Sequence, residues 1–315
     1  MNIFYTVSCT SINRLDNKIV VITGGNTGIG KATVKNFFIR GARVILACRD
    51  LAKAADAIDD IKKQCEDKEN LGQLEAVHLD LQSLTSVKAC AKQLLQSEEK
   101  INILVNNAGI MMSPYMLTED GYELQFATNY LGHFLFTLSL MPKLIRSTPA
   151  RIVNVSSEAH KFISSIDFDD LNWSKKKYSP LYAYSQSKLA NVLFTKELDS
   201  KLKQNKINDV NVYSVHPGCV KTDLGRHVAK QFYIPGLLWL VETATSYIFK
   251  TPEQGAQTQI YCSVDEKCAN ESGLYYSDCK IIKSSAAAQN EEMAKKLWNI
   301  SLKMVGLEEN YNPFK

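Results

Sequence analysis

Short runs of apolar, mostly β-branched residues alternate along this chain with longer stretches whose apolar positions recur every three or four residues. The first pattern packs both faces of a buried strand, and the second presents one face of a helix. Residues 18–23, 43–47, 74–79, 101–105, 151–156, 210–215 and 273–276 read as strands. Residues 29–40, 51–65, 84–97, 118–136, 181–203, 252–261 and 286–304 read as helices. Asp50 is a fitting N-cap, and Gly41 sits where a C-terminal cap belongs.

The predicted strands are nearly all apolar instead of alternating, which fits a parallel sheet covered on both faces. Repeated strand–helix order predicts an α/β, doubly wound fold with right-handed crossovers. Residues 1–315 read as one domain, with a core over about 16–305. Such sheets bind ligands beyond the carboxyl ends of their strands. The segments after each strand are therefore where chemistry is expected.

After the first strand comes Thr23-Gly24-Gly25-Asn26-Thr27-Gly28-Ile29-Gly30. Gly24 permits a tight exit from the strand. Gly28 and Gly30 let the backbone approach a pyrophosphate, which the free N–H groups opening the next helix would hold. The turn lies between a predicted strand and a predicted helix, the setting a dinucleotide site requires. At the end of the second strand an acid would bind both ribose hydroxyls and select NAD. Cys48 stands there instead, followed by Arg49. A guanidinium pairs bidentately with a 2′-phosphate, which favours NADP(H) over NAD(H). The alternative is a surface arginine beside the capping Asp50. Asp80 and Leu81 follow the third strand, where a carboxylate would meet the adenine amino group. Asn106, Ala108 and Gly109 follow the fourth, in a turn that suits the adenosine half or is purely structural.

Tyr184 and Lys188 separate an enzyme from a mere nucleotide binder. They are i and i+4 on a predicted helix, so about 400° of rotation returns both side chains to one face. A nearby ammonium is expected to lower the phenol below its ordinary pKa of about 10. The phenol then gives a proton to a carbonyl oxygen or takes one from an alcohol. Lys188 also reads as a ligand for the nicotinamide ribose. Ser157, ending the fifth strand, is a candidate to hold the substrate oxygen beside Tyr184. Asn129 is an amide in an apolar helix, either a relay element or a satisfied helix-kink residue. His133 reads as a core or helix-surface histidine. Pro217 and Gly218 break the chain after the sixth strand, and Thr222 is a candidate to bind the nicotinamide carboxamide.

Composition narrows the partners. With 37 basic and 33 acidic residues the net charge is only +4, which gives no electrostatic argument for nucleic acid. The eight cysteines form no CxxC pair or zinc-spaced cluster, so no metal is expected. They read as reduced thiols of an intracellular chain. Residues 1–13 contain no long apolar stretch, so neither a secretory signal nor a membrane anchor is expected there. The most apolar window, 232–249, is interrupted by Pro235, Gly236 and Glu242. It is expected to be a buried or interfacial helix, with peripheral membrane contact as the alternative.

Together, TGGNTGIG, NNAG at 106–109, Asn129, Ser157, YSQSK and the PG at 217–218 resemble the short-chain dehydrogenase/reductase family, over about residues 16–305. The resemblance implies a Rossmann fold with a seven-stranded sheet and a catalytic tetrad of Asn129, Ser157, Tyr184 and Lys188. Ala-Cys-Arg-Asp at 47–50, NYLGHF at 129–134, DFDDLNW at 167–173 and SVHPG at 214–218 are similar to the retinol dehydrogenase group. Within that group, DFDDLNW and TDLGRH at 222–227 look most like members 13 and 14. This kinship implies NADP(H)-dependent hydride transfer on an apolar carbonyl or alcohol, retinal-like. Tyr233, Ile234, Leu237, Leu238 and Trp239, in the region after the sixth strand, would either line such a substrate or be ordinary core packing. A steroid or general carbonyl reductase, or a non-catalytic NADP sensor, are the alternatives. The location implied is cytoplasmic or peripheral on an organelle membrane, and homo-oligomers are common in the family.

Overall fold

The computed structural model describes residues 7–220, 249–308 and 311–314. Its strands are β1 (Ile19–Thr23), β2 (Arg43–Cys48), β3 (Gln73–His78), β4 (Ile103–Asn106), β5 (Ala150–Val155), β6 (Val210–His216), β7 (Leu274–Ser277) and β8 (Lys280–Ile281). They form one sheet in the order β3-β2-β1-β4-β5-β6-β7-β8. The pairs from β3 through β7 are parallel, and β8 alone runs antiparallel, against β7. The order reverses at β1–β4, the switch point where such sheets open a crevice.

The sheet has eight strands where seven were expected. The extra strand is two residues long, too short to show a period of two. It exists because Asp278 and Cys279 both take left-handed backbone, with φ of 50° and 53°. Two consecutive residues of that kind reverse the chain tightly enough to pair its two arms.

Each face of the sheet has its own apolar core. On one lie α1 (Gly28–Ile39), α2 (Leu51–Lys63) and a later helix, Pro252–Val264, through Val34, Phe37, Ile58 and Ile260. On the other lie α3 (Leu84–Ser97), the helix carrying Phe134, the long helix Pro180–Gln204 and the terminal helix Glu291–Met304. In chain order, Pro180–Gln204 is α6, Pro252–Val264 is α7 and Glu291–Met304 is α8. Pro180 sits at the start of α6, where its missing N–H costs nothing. Thr251 and Gln254 form a capping box at the start of α7.

The helix expected over 118–136 is displaced. Residues 117–123 instead make a turn closed by an antiparallel bridge between Leu117 and Glu123, with Gly121 at φ 80°. The helix starts at Leu124, where the buried Glu123 carboxylate accepts N–H bonds from Gln125 and Phe126 at 3.0 and 2.7 Å. It runs through α4 (Leu124–Phe126), a π-turn at Ala127–Leu131, and α5 (Gly132–Arg146). A buried carboxylate cap outweighs the weak helical periodicity ahead of it.

No helix among the described residues is long and apolar enough to cross a membrane. The window at 232–249 lies outside the described residues except for Phe249. The terminal α8 covers α5 and α6. Trp298 stands edge-on to Phe134, with ring centroids 5.2 Å apart, and stacks on Phe194 at 6.0 Å. Trp298→Ala therefore leaves a cavity in the core and is expected to lower stability by about 3–5 kcal/mol. Urea unfolding checks this as a lower midpoint with an unchanged slope.

Candidate active site

The carboxyl ends of the parallel strands open into a cleft of about 740 Å³. Gly24, Asn26, Thr27, Gly28, Ile29, Gly30, Arg49, Asp80, Leu81, Ala108, Gly109, Tyr184, Lys188 and Pro217 all line it. Asn106 does not. Its amide donates to Thr137 Oγ1 and Asn154 Oδ1, both at 2.8 Å, inside the core. Gly218 lies outside the lining with φ 90°, against the Lys250 side chain. Thr222, Tyr233, Ile234, Leu237, Leu238 and Trp239 lie outside the described residues.

The glycine turn draws backbone close to backbone because it lacks side chains. A Cβ on Gly30 would lie 2.2 Å from the Gly24 carbonyl oxygen and 2.6 Å from Asn107 Nδ2. Gly24 has φ 65° and sits where a Cβ would be 3.0 Å from Ala108. The first N–H groups of α1 have no intrahelical acceptor. No acid stands in the first turn of α1 to compete for them. This cradle fits a pyrophosphate.

At the end of β2, burial pushes the Cys48 thiol up to about 11, although backbone N–H groups of Gly25, Asn26 and Gly24 oppose the shift. The group in the acid's place is thus uncharged at neutral pH. Asp50 is occupied as the cap of α2, accepting from Lys53 N at 3.0 Å. Arg49 is exposed, lines the cleft and makes no ion pair among the described residues.

Tyr184 and Lys188 share one face of α6, and both are buried. Burial raises the Tyr184 phenol to about 12, while a hydrogen bond from Ser157 pulls the other way. The sequence predicts a phenol lowered by the lysine. Instead Lys188 Nζ donates to the Val155 carbonyl oxygen at 3.0 Å and lies 5.6 Å from the tyrosine ring centroid. The same burial lowers Lys188 to about 8. Loss of water disfavours the charged form of each group, so one cause moves the two in opposite directions. One of three ammonium donors is used on Val155, leaving two without a protein partner among the described residues.

Asn129 is fully buried in the π-turn. Its Oδ1 accepts from Ile110 N at 2.8 Å. Its Nδ2 donates to the Ile110 carbonyl oxygen and to Ser187 Oγ, both at 2.9 Å. Ser187 Oγ in turn donates to the Tyr184 carbonyl oxygen at 2.7 Å. Asn129 thus ties the segment after β4 to the helical turn that carries Tyr184 and Lys188.

Several cleft residues escaped sequence reasoning. Asn107, not Asn106, faces the glycine turn, donating to the Thr23 and Gly24 carbonyl oxygens at 2.9 and 3.3 Å. Alternation along a strand puts neighbours on opposite sides, and the end of β4 decides which is which. Lys53 also lines the cleft, and its place four positions after Arg49 was the available signal. Ile110, Met111, Ser113, Pro114 and Met116 form a further wall, from a loop with no periodicity to read.

The sequence matches the family model described as short chain dehydrogenase over residues 18–169 and 170–232. It is 43% identical to retinol dehydrogenase 13 of Homo sapiens, over 96% of this chain and 88% of that protein. It is 44% identical to retinol dehydrogenase 14 of Homo sapiens, over 93% of this chain and 88% of that protein. Among solved structures, an uncharacterized protein from Mycobacterium paratuberculosis aligns with a TM-score of 0.76 and 33% identity, over 96% of this chain and 99% of that one. The complex of Pseudomonas aeruginosa RhlG with NADP aligns with a TM-score of 0.62 and 25% identity, over 83% of this chain and 94% of that one. With this kinship across nearly its whole length, the chain belongs to the short-chain dehydrogenase family and is an oxidoreductase acting on CH–OH groups.

Proposed function

We propose that the protein transfers a hydride between NADP(H) and the carbonyl or alcohol carbon of an apolar, retinal-like substrate. The observation that carries this reading is the buried Tyr184 phenol, with Lys188 on the same face of α6 and the Ser157 hydroxyl opposing its shift, in a glycine-cradled cleft. The nicotinamide supplies or accepts the hydride when bound, and the protein's own groups handle position and protons. The glycine turn and the start of α1 hold the pyrophosphate. Arg49 meets the 2′-phosphate, with an uncharged thiol at Cys48 where an acid would repel it. The two spare donors of Lys188 hold ribose hydroxyls.

A phenol raised to about 12 is protonated at neutral pH, so it is ready to donate to a carbonyl oxygen. Reduction is the direction this favours. Ser157 donates to the same oxygen and shares the developing charge. Lys188, at about 8, is mostly protonated at neutral pH and close enough to titration to return a proton to the phenol. Asn129 holds that turn of α6 in register. The names of the relatives, retinol dehydrogenases 13 and 14, support an apolar substrate.

The reading is tested by following NADPH oxidation with all-trans-retinal and a panel of apolar aldehydes and ketones. Tyr184→Phe is expected to lose about 100- to 10,000-fold in turnover while still binding NADPH. Turnover that survives this change would sink the proposal. Arg49→Ala is expected to weaken NADPH binding about 10- to 100-fold, as for loss of a charge-assisted pair, and to leave NADH binding unchanged. Equal effects on both nucleotides would remove the 2′-phosphate role. Below about 8 Lys188 is a cation that supports the phenolate left by proton donation, and above it that support goes. Reductive turnover is therefore expected to fall as pH rises through about 8, and a profile flat across that range would contradict the relay.

A further inference from the structure

A buried hydrogen-bonded chain runs from the glycine turn to Asn129 and passes through His133. Thr23 ends β1 and has no exposed surface. Its Oγ1 accepts from Asn107 N and Ala108 N, both at 2.9 Å. A hydroxyl oxygen has two lone pairs and one hydrogen. With both lone pairs used, the hydrogen has to go to the remaining partner, His133 Nε2 at 2.8 Å. Nε2 is then an acceptor, so the ring hydrogen sits on Nδ1. That nitrogen lies 3.1 Å from the Asn129 carbonyl oxygen and donates to it.

The Asn129 carbonyl stands in the π-turn. Gly132 N–H bonds back to the Ala127 carbonyl oxygen, five residues away, which shifts the ordinary ladder. Asn129 lies inside this turn, and its carbonyl oxygen has a side-chain donor. His133, one turn on, fills the role. A charged imidazolium does not fit, because its Nε2–H would face the Thr23 hydroxyl hydrogen. Burial and the nearby Lys188 also disfavour the charged ring.

We infer that His133 is a positioning residue for the reaction: in its neutral Nδ1–H form it fastens the glycine turn and the turn after β4 to Asn129. Through Ser187, Asn129 then holds the helical turn of Tyr184 and Lys188. The inference rests on the proposed reductase reading, in which those two residues do the chemistry.

Nitrogen NMR of the histidine-labelled protein, with His133 assigned by comparison with His133→Asn, tests the tautomer directly. Nδ1 is expected to carry the hydrogen, Nε2 to be bare, and neither to titrate down to a pH of about 5. A hydrogen on Nε2, or titration near the ordinary histidine value of about 6.5, overturns the inference. Turnover tests the consequence. His133→Phe removes both bonds at similar volume and is expected to lower kcat about 10-fold or more at an unchanged folded fraction. His133→Asn reaches only the Nδ1 position, so it restores the bond to Asn129 and is expected to recover most of that loss. Normal kcat in His133→Phe, with Tyr184→Phe inactive, sinks the positioning role and spares the reductase reading. Full turnover in Tyr184→Phe sinks the reading itself. If His133→Phe does not fold, the Asn variant and the NMR of the parent still decide.

Discussion

A parallel sheet must be covered on both faces, and all its strands must end at one edge; the rest of this molecule depends on that constraint. The register brings Thr23 beside Ala47, Cys48 beside His78, Asn106 beside Asn154 and Val155 beside Val215. Every crossover then returns over a helix, and the turns after β1 to β6 open on the same cleft. The glycine turn, Arg49, Asp80, Gly109 and Pro217 converge there although nothing local links them. Residues that would otherwise be scattered polar groups become one lining.

Burial under that edge sets the electrostatics. Lys188 reaches the end of β5 and bonds to the Val155 carbonyl, out of water. Tyr184 lies one turn before it and is equally buried. Proximity alone suggests that the lysine would drag the phenol down. Desolvation is the larger effect here, and it holds the phenol protonated and the ammonium loose. The result is a protonated phenol one turn before a group near its titration point. In the proposed reduction, that combination suits proton delivery better than a standing phenolate would.

The helix from Leu124 to Arg146 shows how an irregular turn is tolerated. Its π-turn disturbs the backbone ladder around Asn129, and the disturbance is contained from three sides. Glu123 caps the start, His133 takes up the Asn129 carbonyl, and Phe134 is locked against Phe194 and Trp298. The terminal helix α8 therefore supports the site without touching it.

Much of this was written locally in the sequence. Apolar runs marked the seven longer strands, glycine spacing marked the turn after β1, and the i, i+4 pair marked Tyr184 with Lys188 on one helix face. Each is a relation among near neighbours, with a period or turn chemistry that a window of residues carries. Other features needed the folded chain. Whether Asn106 or Asn107 faces the cleft depends on the side to which β4 turns its last residue. The start of the helix at Leu124 depends on where a buried carboxylate ends up. The direction of the Tyr184 shift depends on how much water the fold removes. The role of His133 depends on a threonine more than a hundred residues before it. Sequence patterns record which face an element buries, but desolvation and hydrogen-bond pairing are set by partners distant along the chain, and only tertiary structure brings those partners together.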